Sequence, residues 1–144
     1  LCTVQEEARS LGVRAALENI FMSYFYFQEL DEFAAINEAV PGIGVTLDIG
    51  HAYISKCMAK HPDPEGAIID DVHRMGLKNL FHVHLHNNSG SRDDHDFVEG
   101  SIDMARVLKG LSDLGYDGKV VIETLDIERL GFPAVLQKLQ QIAP

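Results

Sequence analysis

The sequence predicts an α/β fold: a parallel sheet of four consecutive strand–helix units, laid out as about half of a β/α barrel. Three observations predict it. Helical and strand patterns alternate along the whole chain. No linker, low-complexity tract or charge block interrupts them, so residues 1–144 read as a single domain. Each predicted strand also ends, or nearly ends, on a residue able to bind a metal: Glu18, Asp48, His84 and Glu123.

In order, Val4, Ala8 and Leu11 fall at helical spacing and Gly12 supplies a stop. VRAALE is a short strand ending at Glu18. The connection 19–28, NIFMSYFYFQ, is unusually aromatic; Phe21, Tyr24 and Phe25 either wall a pocket or cover core or an interface. Leu30 to Val40 reads as a helix with Phe33, Ile36 and Val40 on one side, closed by Pro41 and Gly42. GVTLDIGH is the second strand, running into Gly50 and His51. Asp63 can cap a helix with Pro64 in its first position and Ile68, Val72 and Met75 on its buried face. Gly76 ends it, and the strand bearing His82, His84 and His86 follows. Ser101 or Asp103 can cap a helix carrying Met104, Val107, Leu108 and Leu111. KVVIET is the fourth strand, and Phe132, Val135, Leu136 and Leu139 mark a last amphipathic helix. Strands joined through helices in this way run parallel with right-handed crossovers.

Apolar residues make up 46% and charged residues 24%, as in a globular protein with a real core. No apolar run approaches the roughly 20 residues of a membrane span. LCTVQEEARS lacks the basic and apolar blocks of a secretory signal, and Cys2 and Cys57 have no disulfide-framework or metal-type spacing. Together these features lead us to expect a cytoplasmic location. The formal net charge of -10, with twelve scattered Lys and Arg, argues against a nucleic-acid partner.

The run 81–95, FHVHLHNNSGSRDDH, is the chemical focus. Side chains alternate along a strand, so His82, His84 and His86 share one face while Phe81, Val83 and Leu85 share the other. Counting back from the strand ends places Ala16, Thr46, His82 and Val121 inside and Leu17, Leu47, Val83 and Ile122 outside. In a β/α barrel the reacting groups sit at the C-terminal ends of the strands. Three carboxylates in one cavity repel one another and need a cation to stay ionised. Imidazole and carboxylate are ligand types suited to zinc, manganese or iron.

The segments ALEN, LDIGH, HVHLHNN, DDH…EGSID and VIET together resemble the second half, strands five to eight, of the xylose-isomerase-like TIM barrels. That superfamily includes sugar and sugar-phosphate isomerases and epimerases and the type-IV apurinic endonucleases. By this resemblance Glu18, Asp48, His84 and Glu123 match the metal-binding quartet of the isomerases and epimerases. His51 matches a substrate-contacting or second-metal position. Asp93 and His95 match a D-x-H pair that holds a further metal in the endonucleases. His82 and His86 are expected to support the site, and Asn87 stands where the family often has Asp.

The resemblance implies a divalent metal (Mn, Mg or Zn) and isomerisation or epimerisation next to a carbonyl through an enediolate. Glu18 and Glu123 would be base and acid, and the partner a small sugar or sugar phosphate. The alternatives are metal-assisted phosphodiester hydrolysis, as in the apurinic endonucleases, and an inactive half-barrel that binds a metal or a partner. A complete barrel takes about 250 residues. Four strands therefore lead us to expect a homodimer or association with a missing N-terminal half-barrel.

Overall fold

The structure, a computed structural model, describes residues 1–22 and 27–143. Tyr24 and Phe25 of the aromatic connection lie outside the described residues. After helix α1 (Cys2–Ser10), strands β1 (Ala16–Glu18), β2 (Gly44–Asp48), β3 (Leu80–Leu85) and β4 (Val120–Ile122) form one sheet. Its order is β1-β2-β3-β4 and every pairing is parallel. The connections carry α2 (Phe33–Ala39), α3 (Ile49–Met58), α4 (Pro64–Met75) and α5 (Met104–Asp113); α6 (Asp126–Leu130) and α7 (Phe132–Ile142) follow β4. The fold is the predicted open parallel α/β half-barrel.

Local chemistry sets the helix ends. Asp63 caps α4 by accepting from Gly66 N at 3.2 Å, and Gly76, at φ 85°, ends that helix. Of the two predicted caps for α5, Asp103 takes the position, accepting from Arg106 N at 3.0 Å. Arg106 returns a two-pronged ion pair to Asp63 at 2.7 and 2.6 Å, joining the starts of α4 and α5. The outward side chains Val45, Leu47, Val83 and Leu85 are buried in one core with Ile68 and Val72 of α4, Val107 and Leu111 of α5, and Val135 and Ile142 of α7. The inner face is open, and Ala16 and Val121 are exposed on it.

The structure corrects three features of the sequence reading. β2 stops at Asp48, and the residues read as its continuation, Ile49 to His51, open α3. That helix is buried over Ile49–Ser55, so it has no polar stripe to reveal its period. Helix α6 is a second element the pattern did not show. Finally, β3 carries a bulge: Val45 lies opposite Leu80 and Thr46 opposite His82, leaving Phe81 as the extra residue. The Phe81 ring occupies the space a side chain at Gly44 would need, under the Arg14 guanidinium 4.3 Å away. Gly44 pairs with Ala16 of the inner face, so Phe81 packs inside the half-barrel and Leu80 takes the outward place.

Candidate metal centre

The site begins with how β1 and β2 end. Asn19, buried directly after Glu18, extends the pairing through its side chain: Nδ2 donates to the Asp48 carbonyl at 3.0 Å and Oδ1 accepts from Asp48 N at 2.8 Å. Asp48 then caps α3, its Oδ1 accepting from His51 N at 2.7 Å. Because the helix starts at the strand tip, its first turn carries His51 back over the sheet. There His51 Nδ1 lies 2.9 Å from the Asn19 carbonyl and 3.6 Å from Glu18 Oε1.

The four strand-end residues converge. His84 Nδ1 lies 3.4 Å from Glu18 Oε2 and 3.1 Å from Glu123 Oε1. Ligand atoms of Asp48, His84 and Glu123 fall within 4.8 Å of one another, as do those of Glu18, Asp48 and His51. Asp48 Oδ2 and His84 Nδ1 are buried without a hydrogen-bond partner. Native interiors rarely leave such atoms unsatisfied, and two of them in a cluster of three carboxylates fit a divalent cation. The residues present therefore suit the metal that the resemblance implies.

Burial, then the charge of Asp48, raises the Glu18 carboxyl above its ordinary value. Burial also acts to raise Asp48, but the hydrogen bond and charge of His86, with help from His51, outweigh it and hold that carboxyl low. His86 moves the opposite way. Burial acts to lower it, and the Asp48 carboxylate, with Asp93 beyond, raises it.

A second cluster lies beside the first. His51, His86, Asp93 and His95 each offer an atom within one 4.8 Å group. His51 Nε2 is 3.3 Å from Asp93 Oδ2, and His95 Nε2 is 3.3 Å from Asp93 Oδ1, a buried atom with no hydrogen bond. The supporting loop is tied down residue by residue. Asn88 Nδ2 donates to the Gly50 carbonyl at 3.0 Å, and Asp126 Oδ2 accepts from Phe97 N and Val98 N at 2.8 and 2.9 Å. His95 has φ 49°, uncommon for a non-glycine residue. Its carbonyl is held there by Thr124 Oγ1 at 2.9 Å and Leu125 N at 3.0 Å. Asn87 makes a reciprocal pair with Ile102: Oδ1 accepts from Ile102 N at 2.9 Å and Nδ2 donates to its carbonyl at 3.4 Å. An aspartate could not make the second bond, which gives the departure at this position a structural sense.

All seven residues named from the sequence meet in this one region. His86, expected only as support, sits in the second cluster and touches Asp48 at 3.0 Å. Asn19 and Gly50 were missed. Their signal was their position, one directly after a strand-end ligand and the other inside the D-x-x-H spacing. His82 stands edge-on to His84 at 5.1 Å, its pKa lowered by burial and then by His84. Phe21 lies 5.6 Å from the His51 ring, where it can wall the pocket.

Residues 1–142 match the model of the family described as xylose isomerase-like TIM barrel. Uncharacterized protein MJ1311 of Methanocaldococcus jannaschii is 29% identical over 131 residues, covering 88% of this chain and 42% of that protein. The solved structure of a D-tagatose 3-epimerase-like protein is 26% identical with a TM-score of 0.70, covering 96% of this chain and 49% of that one. A xylose isomerase domain protein from Alicyclobacillus acidocaldarius shares the fold, with a TM-score of 0.67 at 22% identity over 96% of this chain and 52% of that one. The chain thus spans about half the length of the proteins it matches. Among the described residues no helix is long and apolar enough to cross a membrane. With a half-barrel sheet, residues able to bind a metal at all four strand ends and a family match over nearly its whole length, the chain belongs to the xylose isomerase-like TIM barrel family.

Proposed function

We propose that the chain acts as a metal-dependent sugar or sugar-phosphate isomerase or epimerase, with Glu18, Asp48, His84 and Glu123 as ligands. The observation that carries this reading is the pair of buried, unsatisfied atoms, Asp48 Oδ2 and His84 Nδ1, between two glutamates. A bound Mn, Mg or Zn ion supplies Lewis acidity toward a carbonyl and its neighbouring hydroxyl. The residues do the rest. Glu18 and Glu123 reach His84 from β1 and β4, on opposite sides of the cluster, so one can take the proton from the carbon next to the carbonyl while the other returns it. Burial and the neighbouring Asp48 carboxylate raise the Glu18 carboxyl, which favours its holding a proton more firmly than an ordinary glutamate. His51, fixed through Nδ1 by Asn19, turns Nε2 to Asp93 Oδ2 at 3.3 Å, and by exchanging that contact it can hold a substrate oxygen. The relationship to a D-tagatose 3-epimerase-like protein supports the same class.

One observation favours a second reading, phosphodiester hydrolysis: the cluster of His51, His86, Asp93 and His95 offers a place for a further cation. The net charge of -10 weighs against a polyanionic substrate. The two readings separate in one experiment. Ketoses and their phosphates are incubated with protein and Mn²⁺ in D₂O while deuterium entry next to the carbonyl is followed by NMR, and abasic duplex DNA is assayed in parallel. We expect exchange that is abolished by Glu123→Gln and by chelation, with the DNA intact. Cleavage that His51→Ala abolishes would reverse the assignment, and metal binding without either reaction would leave a binding module.

A further inference from the structure

The geometry points to His86 as a positioning residue that commits Asp48 to binding a cation through one chosen oxygen, Oδ2. This rests on the metal reading above and goes beyond it, since it concerns how one ligand is held. Asp48 Oδ1 already accepts from His51 N at 2.7 Å, and His86 Nε2 lies 3.0 Å from the same oxygen. Two donors on Oδ1 leave Oδ2, buried and unpartnered, as the atom free to serve as ligand. The carboxylate cannot turn without breaking both bonds.

His86 is itself held on every side. It is wholly buried, and its Nδ1 lies 3.3 Å from the Asn87 carbonyl. One ring face stacks on His95 at 4.2 Å and 17°. The ring also lies against Gly50 of α3, where a side chain would overlap it. Gly50 is therefore the glycine that the D-x-x-H segment requires, because it admits the imidazole to the turn that Asp48 caps. Since His95 belongs to the loop that also carries Asp93, the stack ties the orientation of Asp48 to the placement of that loop. Hydrogen-bonding partners of metal-binding carboxylates typically account for about 10- to 100-fold in affinity.

The test is Co²⁺ binding to the whole chain, followed by titration and by the visible spectrum of the bound ion. His86→Phe keeps the ring volume and removes the donor. It should lower Co²⁺ affinity by about 10- to 100-fold and alter the spectrum, with the far-ultraviolet circular dichroism unchanged. His86→Gln places an amide N–H near the Nε2 position and should recover most of the affinity, whereas His86→Asn, too short to reach Asp48, should not. If His86→Phe fails to fold, the Gln and Asn variants carry the same contrast. Wild-type binding with unchanged affinity and spectrum in His86→Phe, or equal affinities for Gln and Asn, would overturn the assignment alone. Wild type that takes up no Co²⁺ would overturn the metal reading, and this inference with it.

Discussion

Asn19 and Asp48 clasp each other across the tips of β1 and β2, the amide of one bonded to both backbone groups of the other at 3.0 and 2.8 Å. The clasp extends the parallel ladder beyond Glu18 with a side chain. It also fixes the Asn19 carbonyl that receives His51 Nδ1 at 2.9 Å. One buried amide therefore sets the positions of Glu18, Asp48 and His51 relative to one another. Asn19→Ala leaves the Asp48 N–H and carbonyl buried without these partners, so we expect a loss of about 1–3 kcal/mol in urea unfolding. Asn19→Asp should be at least as costly, because it removes the donor and adds a fourth carboxylate beside Glu18, Asp48 and Glu123. A loss below about 0.5 kcal/mol in both variants would show that the clasp is dispensable.

Metal binding should depend on pH in a direction set by Glu18. Its carboxyl is raised by burial and by Asp48, so it keeps its proton to higher pH than an ordinary glutamate. A cation must displace that proton, whereas Asp48 is held low and is already ionised. Affinity should therefore climb as pH rises through the raised Glu18 range, with protons released on binding. Calorimetry in two buffers of unlike ionisation enthalpy reads the release directly. Glu18→Gln should flatten the dependence, and His84→Ala should remove most of the affinity at every pH without loss of helix. Equal metal occupancy in wild type and His84→Ala would sink the ligand assignment.

The convergence of the strand-end residues was legible in the sequence because side chains alternate along a strand and one potential ligand recurs at each C-terminal end. The same rule misplaced Phe81. Phe81, Val83 and Leu85 alternate without a flaw in the sequence, and nothing local marks the extra residue that turns Phe81 inward. Helix α3 stayed hidden for a related reason: it is buried all round near Asp48, so its period is masked. The part played by His86 was beyond sequence reasoning because it depends on contact with Gly50, 36 residues earlier in the chain.

The bulge yields its own prediction. Gly44→Ala would drive a methyl group into the Phe81 ring, so we expect destabilisation of about 1–3 kcal/mol, the usual cost of overpacking. Adding Phe81→Leu should return part of that loss, giving a coupling of at least about 0.5 kcal/mol in a double-mutant cycle. Strict additivity would mean that the ring does not lie over Gly44 in solution.

The last prediction concerns assembly and follows from the edges of the sheet. Among the described residues β1 pairs only with β2 and β4 only with β3. An unpaired strand edge is a template for another strand. Next to the β4 edge the chain exposes Val120, Val121 and Leu125, and Ala16 lies exposed on the inner face. Two copies related by a two-fold axis could cover both edges and bring eight strands around one cavity. That arrangement would also face Glu18, Asp48 and Glu123 of one copy toward their counterparts, and this repulsion opposes closure. Bound cations and added salt both reduce it. We therefore expect sedimentation of the isolated chain at micromolar concentration to show dimers, with the dimer fraction rising when Mn²⁺ or salt is added. A monodisperse, cooperatively melting monomer under all of these conditions would show that the edges are protected within the chain itself.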